Sequence, residues 1–392
     1  MLDVGLIYGL ENNSTGTMPR VYLFRGKHPL YEALVNHPPE GVEYLPKVSS
    51  HGLEEYSLYT SSYGLLRRVS DDFFSAIGTP RWIPILNHYD LVHSSRGFFV
   101  IGPNRYALDM EHVATFVGMR HRRLESGGMR RLIEKGLLSP KCRRILPHCE
   151  AAQRSLSIVT KDPAVADKTT VIYPTVDMDL VPPSHSSDAK PCILFVGEYL
   201  WKGGREVLEA CRRLAPKYDF RVAYVSIRVH PPDKDIWRTR KSVQVDYFRG
   251  PIPRQDLFQK VYPFADIFVM PTYLDTFGYA YLEAMAFGLP CVGTNHFAVP
   301  EIIENERTGI LVEPPLSYFD STGKGHPELS VESLRTDKTI DELCVALGRL
   351  VESGSLRRRM GREGRQSVSE GKFSIGRRNA ILREAYESCL RK

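Results

Sequence analysis

The stretch of this 392-residue chain richest in possible chemistry is Ala265-Asp-Ile-Phe-Val-Met-Pro-Thr-Tyr-Leu-Asp-Thr-Phe-Gly-Tyr-Ala-Tyr-Leu-Glu-Ala-Met-Ala-Phe-Gly-Leu-Pro-Cys-Val-Gly293. Its apolar run up to Met270 reads as a buried strand. A loop then crosses the carboxyl edge of a sheet, the edge at which open α/β sheets bind ligands, and a helix starts near Gly278. Unpaired N–H groups at that start, on Phe277, Gly278, Tyr279 and Ala280, suit an anion, and the helix dipole adds to the attraction. Gly278 keeps the backbone open to close approach. Glu283 lies about four residues into the helix, roughly 6 Å along its axis. A carboxylate there suits a diol such as a ribose. Asp275, in the loop, is placed for the hydroxyls of a second sugar. An Asp and a Glu eight apart carry little alone, because acids are about an eighth of the chain. The information lies in the register of the whole stretch.

Elements of an α/β chain surround these residues. In the second half, apolar runs at 193–197, 220–225, 245–249, 266–270, 291–294 and 309–312 alternate with helix-period segments at 205–215, 256–264, 279–287 and 299–304. Short apolar runs of this kind imply parallel strands covered by helices on both faces. The polar segment 230–241 reads as a loop. The first half repeats the style less regularly, with strands expected at 21–25, 41–45, 90–93, 106–110 and 144–146. Residues 1–20 read as loosely ordered, 177–190 as a linker, and 313–336 as a loop before three closing helices. The expected architecture is two Rossmann-like, doubly wound parallel-sheet domains facing across a cleft. Their spans are 1–180 and 181–372, and a helix at 373–392 closes the chain.

The register of Pro-Thr, Asp-Thr-Phe-Gly, Leu-Glu-Ala-Met-Ala and Gly-Leu-Pro-Cys-Val resembles the E-x7-E signature of family 4 (group 1) retaining glycosyltransferases of the GT-B fold. Asp275 stands in the first acidic position. Val299-Pro-Glu-Ile-Ile303 and Gly309-Ile-Leu-Val312 are similar to the elements that follow it. Ile193-Leu-Phe-Val-Gly-Glu-Tyr-Leu-Trp-Lys-Gly-Gly204 looks like the family's strand, Gly197 and Lys-Gly turn. There a Lys and a nearby Arg neutralise the donor diphosphate. Lys202 fits the Lys position, and a flexible ammonium on a turn suits a phosphate that gains charge as it leaves. Glu198 stands where the Arg is usual, which leaves Arg205 or Arg228 to substitute.

The resemblance extends over nearly the whole chain. Cys142-Arg-Arg-Ile-Leu-Pro-His-Cys-Glu-Ala-Ala-Gln-Arg-Ser-Leu156 is similar to a late first-domain strand and helix, and Val171-Ile-Tyr-Pro-Thr-Val-Asp177 to the interdomain segment. Leu356-Arg-Arg-Arg-Met-Gly-Arg-Glu-Gly-Arg365, with Phe373-Ser after it, resembles the last helices, the final one crossing back to the first domain. Phe24-Arg-Gly-Lys27 has one Gly where the family often has a Gly-rich acceptor loop. The family often places a His after a first-domain strand, near the transferred sugar. Tyr106-Ala-Leu-Asp-Met-Glu-His112 offers Glu111 in that register and His112 one residue later. His93 ends a strand and reads as structural, while Trp201 either stacks on a base or covers its turn.

The resemblance implies retaining transfer of a sugar from a nucleotide-sugar donor to a saccharide, lipid-linked or other acceptor. Catalytic roles fall to Lys202, Asp275, Glu111 and His112, and donor binding to Gly197, Phe277, Gly278, Tyr279 and Glu283. No metal and no cofactor is expected, since no Asp-x-Asp signature stands at the donor site and the nucleotide-sugar is a substrate. The rivals are a catalytically silent sugar-nucleotide-binding protein and a GT-B-type sugar-nucleotide epimerase.

Net charge is +6, and 42% of residues are hydrophobic. Seven scattered cysteines without a C-x-x-C pair favour reduced thiols. With neither a signal-like start nor a spanning apolar run, a cytoplasmic location is expected. Between positions 96 and 144 stand eleven Lys/Arg against four Asp/Glu, densest at 119–131. Such a patch suits an anionic membrane surface on the inner face or is a solvated helix face. No nucleic-acid-binding signature accompanies it.

Overall fold

The computed structural model of the chain describes residues 19–25, 28–46, 69, 73, 74, 76–182, 190–226, 244–320, 323–325 and 334–391. The first part runs β1 (Arg20–Phe24), α1 (Pro29–Asn36), β2 (Glu43–Leu45), β3 (Trp82–Pro84), β4 (Leu91–Ser94), β5 (Phe99–Ile101), β6 (Tyr106–Met110), α2 (Gly127–Leu138), β7 (Cys142–Pro147), α3 (Glu150–Ser155) and α4 (Pro163–Asp167). The second runs β8 (Cys192–Val196), α5 (Gly204–Leu214), β9 (Arg221–Ser226), β10 (Gln244–Arg249), α6 (Arg254–Lys260), β11 (Ile267–Met270), α7 (Tyr279–Ala286), β12 (Cys291–Thr294), α8 (Val299–Ile302) and β13 (Gly309–Val312). Three helices close the chain: α9 (Asp337–Glu352), α10 (Gly354–Ser369) and α11 (Ile375–Leu390).

Two parallel sheets result, ordered β2-β1-β4-β6-β7 and β10-β9-β8-β11-β12-β13. This is the α/β class expected, two doubly wound parallel-sheet domains. The central strands are buried on both faces, as β6 and β11 show residue by residue, which is why they read as unbroken apolar runs rather than alternating ones. In each sheet the order steps outward in two directions from the first strands, so a crevice opens at the carboxyl ends of β1 and β4 and of β8 and β11.

The last helix ties the parts together. Leu382, Ala385, Tyr386 and Cys389 of α11 share a core with Val21, Leu91 and other first-sheet residues. Arg378, nearly buried, donates to Thr175 Oγ1 at 2.7 Å and to the His37 carbonyl at 2.7 Å.

Element boundaries depart from the sequence reading in a few places. The helix expected at 256–264 stops at Lys260, and a 3₁₀ turn, Tyr262–Phe264, follows. Pro263 explains the break, since it has no N–H to continue the helix. Strands β3 and β5 form a small parallel pair that was not anticipated; three-residue strands carry too little pattern. The seven cysteines are all unpaired. Positions 183–189 of the linker at 177–190, the loop at 230–241 and positions 1–18 fall outside the described residues.

Candidate active site

A cavity of about 260 Å³ lies between the two sheets. His28, Glu111 and His148 line it from the first sheet; Gly197, Lys202, Asp275 and residues 276–280 line it from the second. All of them stand on the loops and helix starts that follow the carboxyl ends of strands. Seven of the nine residues singled out from the sequence thus line the cavity, Glu111 on the first-domain wall and the other six on the second. Glu283 and His112 do not line the cavity.

The second-domain wall is built from one turn and one helix start. Gly197 follows β8 so closely that a Cβ there would lie 2.7 Å from Lys202 Cβ; the missing side chain is what lets the lysine fold over the strand end. Glu198 fixes the turn, its Oε2 accepting from the amides of Leu200 at 2.9 Å and Trp201 at 2.8 Å. The carboxylate in place of an Arg is therefore a turn staple. Lys202 Nζ donates to Asp275 Oδ2 at 2.6 Å and to the Leu274 carbonyl at 2.8 Å. Asp275 Oδ1 in turn accepts from the Phe277 amide at 3.3 Å. That amide, expected to face an anion, is already engaged. The free donors of the helix start are those of Gly278, Tyr279 and Ala280, whose N–H groups have no partner inside the helix. Gly278 takes φ 98°, a left-handed conformation that side chains rarely adopt. The Tyr279 hydroxyl donates to the Thr175 carbonyl at 2.8 Å, and its ring meets His28 edge-on at 5.2 Å.

Glu283 sits on α7 as the sequence places it, but it is only 7% exposed. Arg254 Nε donates to its Oε1 at 2.6 Å and the Tyr262 hydroxyl to its Oε2 at 3.1 Å. Burial pushes the carboxyl above its usual range, and Arg254 pulls against that shift. Arg254 also reaches across the cleft to Glu32 of α1 at 3.1 Å. The sequence reading missed Arg254, which stands 29 residues before Glu283. Its place just after β10, at the same sheet edge, was the available signal.

The first-domain wall draws on residues far apart in sequence. Glu111 accepts from Thr276 Oγ1 at 3.1 Å and pairs with Arg96 at 3.0 Å, so it faces the Asp275 loop directly. His112 turns away. Its Nδ1 accepts from the Ala114 amide at 3.0 Å and its Nε2 donates to the Gly323 carbonyl at 2.6 Å. Burial lowers its pKa to about 3, and it packs on the rings of Phe297 and Phe319. It is a neutral cap and interdomain spacer. His93 is buried between Tyr386 and Asp109, at 2.5 and 3.3 Å.

Two further histidines on this wall were missed. His28 caps α1, and burial lowers its pKa to about 4. His148, 4% exposed, follows β7 and lies 3.8 Å from Asp109 Oδ2. At that distance the contact is an ion pair rather than a hydrogen bond. The strand-end rule that singled out Glu111 after β6 applies equally to β7, and would have found His148.

The remaining candidates fall outside the cavity. Arg205 is bound to buried Glu206 at 2.8 Å, so it is not a free second cation beside Lys202, and Arg228 lies outside the described residues. Trp201 meets Tyr318 edge-on at 5.9 Å. Among the described residues, the group with metal-ligating atoms close together is His37, Asp177 and Asp179; it bridges α1 to the interdomain segment, away from the cavity. Also among the described residues, no helix is long and apolar enough to cross a membrane. The basic patch is exposed at Arg122, Arg130, Arg131 and Lys135.

Residues 190–319, which carry the whole second-domain wall, match the family model of glycosyl transferases group 1. The chain is similar to the D-inositol 3-phosphate glycosyltransferase of Mycobacteroides abscessus, 26% identical over 67% of this chain, and spans 61% of that protein's length. Among solved structures it is similar to Anabaena HepE in complex with UDP and glucose (TM-score 0.56, 14% identity, 95% of this chain and 100% of that one). It is also similar to sucrose-phosphate synthase from Thermosynechococcus elongatus (TM-score 0.57, 15% identity, 94% and 98%). The two-sheet arrangement is the GT-B fold.

Proposed function

We propose that the chain is a retaining glycosyltransferase of family 4 that moves a sugar from a nucleotide-sugar donor to a saccharide or lipid-linked acceptor. The observation that carries this reading is the cavity itself, where Lys202, Asp275 and the amides of residues 278–280 face Glu111 across a gap of sugar size. The diphosphate lies against Gly197, Lys202 and the start of α7, where preorganised positive charge stabilises it as it departs. Asp275 and Glu111 hold hydroxyls of the transferred sugar from opposite walls. The departing phosphate takes the acceptor's proton on the face where the bond breaks, and the anomeric configuration is kept. The glycosyltransferase segment at 190–319 and the UDP and glucose bound by HepE support a nucleotide-sugar donor.

Incubation of purified protein with a panel of nucleotide sugars and simple acceptors, followed by NMR of the product's anomeric proton, tests the proposal. Product with inverted configuration, or none, overturns it. Since protein groups alone carry the diphosphate here, transfer is expected to persist in EDTA, and its loss there would require a metal. A silent binder is the second reading, favoured by Glu198 serving as a turn staple rather than a cation; it predicts donor binding without transfer or hydrolysis. For a lipid-linked acceptor, the exposed basic surface of α2 is the face that meets an anionic cytoplasmic leaflet. Equal binding to neutral and anionic vesicles at low salt would remove that role.

A further inference from the structure

The charged groups lining the cavity are already paired. Lys202 is compensated by Asp275 at 2.6 Å and Glu111 by Arg96 at 3.0 Å. A diphosphate entering this space brings about two or more negative charges, and buried charge without a partner is costly. Arg205 is held by Glu206, and His28, with its pKa near 4, stays neutral around pH 7. His148 also lines the cavity, but its carboxylate partner, Asp109, does not.

Resting on the proposed donor function, we infer that His148, held by Asp109, supplies the second positive charge to the donor's diphosphate from the first-domain wall. The imidazole lines the cavity and is fixed from behind. Its backbone amide donates to the Met110 carbonyl at 3.0 Å, and its Nε2 lies 3.8 Å from Asp109 Oδ2. Asp109 is itself anchored: the Tyr31 hydroxyl donates to it at 2.8 Å, His93 Nε2 at 3.3 Å, and the Arg96 amide completes its shell. The other ring nitrogen, Nδ1, has no hydrogen-bond partner among the described residues, so it is the donor left for a ligand.

The groups facing His148 from the packed elements are Asp109 within β6 and Glu111 after it, Arg96 after β4 and His28 before α1. Burial disfavours charge on the ring. Asp109 and Glu111 outweigh that and lift its pKa above the ordinary imidazole value, with Arg96 opposing. Burial would also raise Asp109, but His148 and His93 hold it well below the usual carboxylate range. The ionised carboxylate thus favours a proton on the ring, which suits a cation presented to an anion rather than a base.

The test is calorimetric titration of UDP, GDP and ADP, each beside its nucleoside, into wild type, His148→Gln and His148→Lys at pH 6.5 and 8.5. Wild type should lose affinity for its preferred diphosphate at the higher pH while nucleoside binding stays constant. His148→Gln should bind that diphosphate about tenfold more weakly at pH 6.5, a loss of about 1.4 kcal/mol, with the pH dependence gone. His148→Lys should retain binding at pH 8.5. Equal diphosphate affinity in wild type and His148→Gln at both pH values overturns the inference alone. If His148→Gln does not fold, a wild-type affinity that is flat between the two pH values does the same. A wild type that binds none of the three diphosphates overturns the proposed function, and this inference with it.

Discussion

The two walls of the cleft are made differently. The second-domain wall is local: Gly197 to Lys202 is one turn, and Asp275 to Ala280 is one loop running into one helix. Its polar work is done by backbone amides and by a lysine of the first segment that the second holds through Leu274 and Asp275. The first-domain wall is assembled from His28, Arg96, Asp109, Glu111 and His148, which come from the ends of four different strands. It is held by a buried network in which Asp109 accepts from three sides. A wall of backbone donors binds phosphate with little dependence on the rest of the protein. A wall of side chains can orient a sugar to within the tolerance that transfer demands, but only if every supporting contact is in place. The difference predicts that second-wall variants fail in chemistry or donor binding, and that first-wall variants fail in orientation and in response to pH.

The largest effect should come from Lys202→Ala. Leaving-group charge grows in the transition state, so turnover should fall about 10²–10³-fold, the scale of losing one preorganised donor. Donor affinity should change less, because the amides at the start of α7 still hold the ground-state diphosphate. Equal losses in the two quantities would make Lys202 a binding residue only and blur the contrast between the walls.

Glu283 should give the next largest effect. Glu283→Ala leaves the half-buried Arg254 with only the exposed Glu32 as partner, so it should destabilise the fold. The fold is therefore strained by the very variant that would report ribose binding. Glu283→Gln keeps the shape and an acceptor oxygen. Its donor affinity should fall about tenfold in calorimetry with the melting temperature lowered only modestly, and unchanged affinity would remove the ribose assignment.

A smaller effect separates two neighbours. Glu111→Gln, on the cavity, should lower turnover at saturating donor by about tenfold, or 1.4 kcal/mol of transition-state stabilisation. His112→Ala should lower the melting temperature, because it deletes a cap and the Gly323 contact, while turnover per folded molecule changes less than in Glu111→Gln. The reverse ranking would move the sugar site to the far side of β6.

What was legible in the sequence follows the same division. The second-domain strands, the helix start at Gly278 and the position of Lys202 were readable because their information is local: short apolar runs, a glycine at a strand end, a helix register. Glu283 was placed on its helix, yet its environment was hidden, since Arg254 and Tyr262 reach it only through tertiary packing. On the first-domain side the strand carrying Glu111 was readable, but the choice between Glu111 and His112 turned on a rotation that no spacing reveals. The run after β7 looked like a helix start, and His148 was passed over although it directly follows a strand end. Asp109 sits inside an apolar strand, where a single acid reads as an anomaly. Its three partners come from positions 31, 93 and 96.

The smallest effect expected is a pH dependence of stability that belongs mainly to the first wall, and its sign differs on the two sides of neutrality. His28 and His112 of the first domain, with His296 after β12 of the second, are held neutral by burial, their pKa values lowered to about 4, 3 and 4. Unfolded, each binds a proton near the ordinary imidazole value of about 6.5, so below that pH the unfolded chain holds more protons and stability falls with acidification. His148 runs the other way. Its folded pKa lies above the ordinary value because Asp109 and Glu111 outweigh its burial, so its contribution is complete below about pH 6.5 and is lost as pH rises through the raised value. The melting temperature should therefore climb from about pH 4, pass a maximum near the ordinary imidazole pKa, and decline on the alkaline side. His148→Gln should flatten the alkaline decline while the acid limb persists, whereas Lys202→Ala should leave the alkaline decline as in wild type. A wild-type profile level from pH 6.5 to 9, or an alkaline decline that survives in His148→Gln, would show that the Asp109 pair does not hold an imidazolium and that the two walls are electrostatically alike.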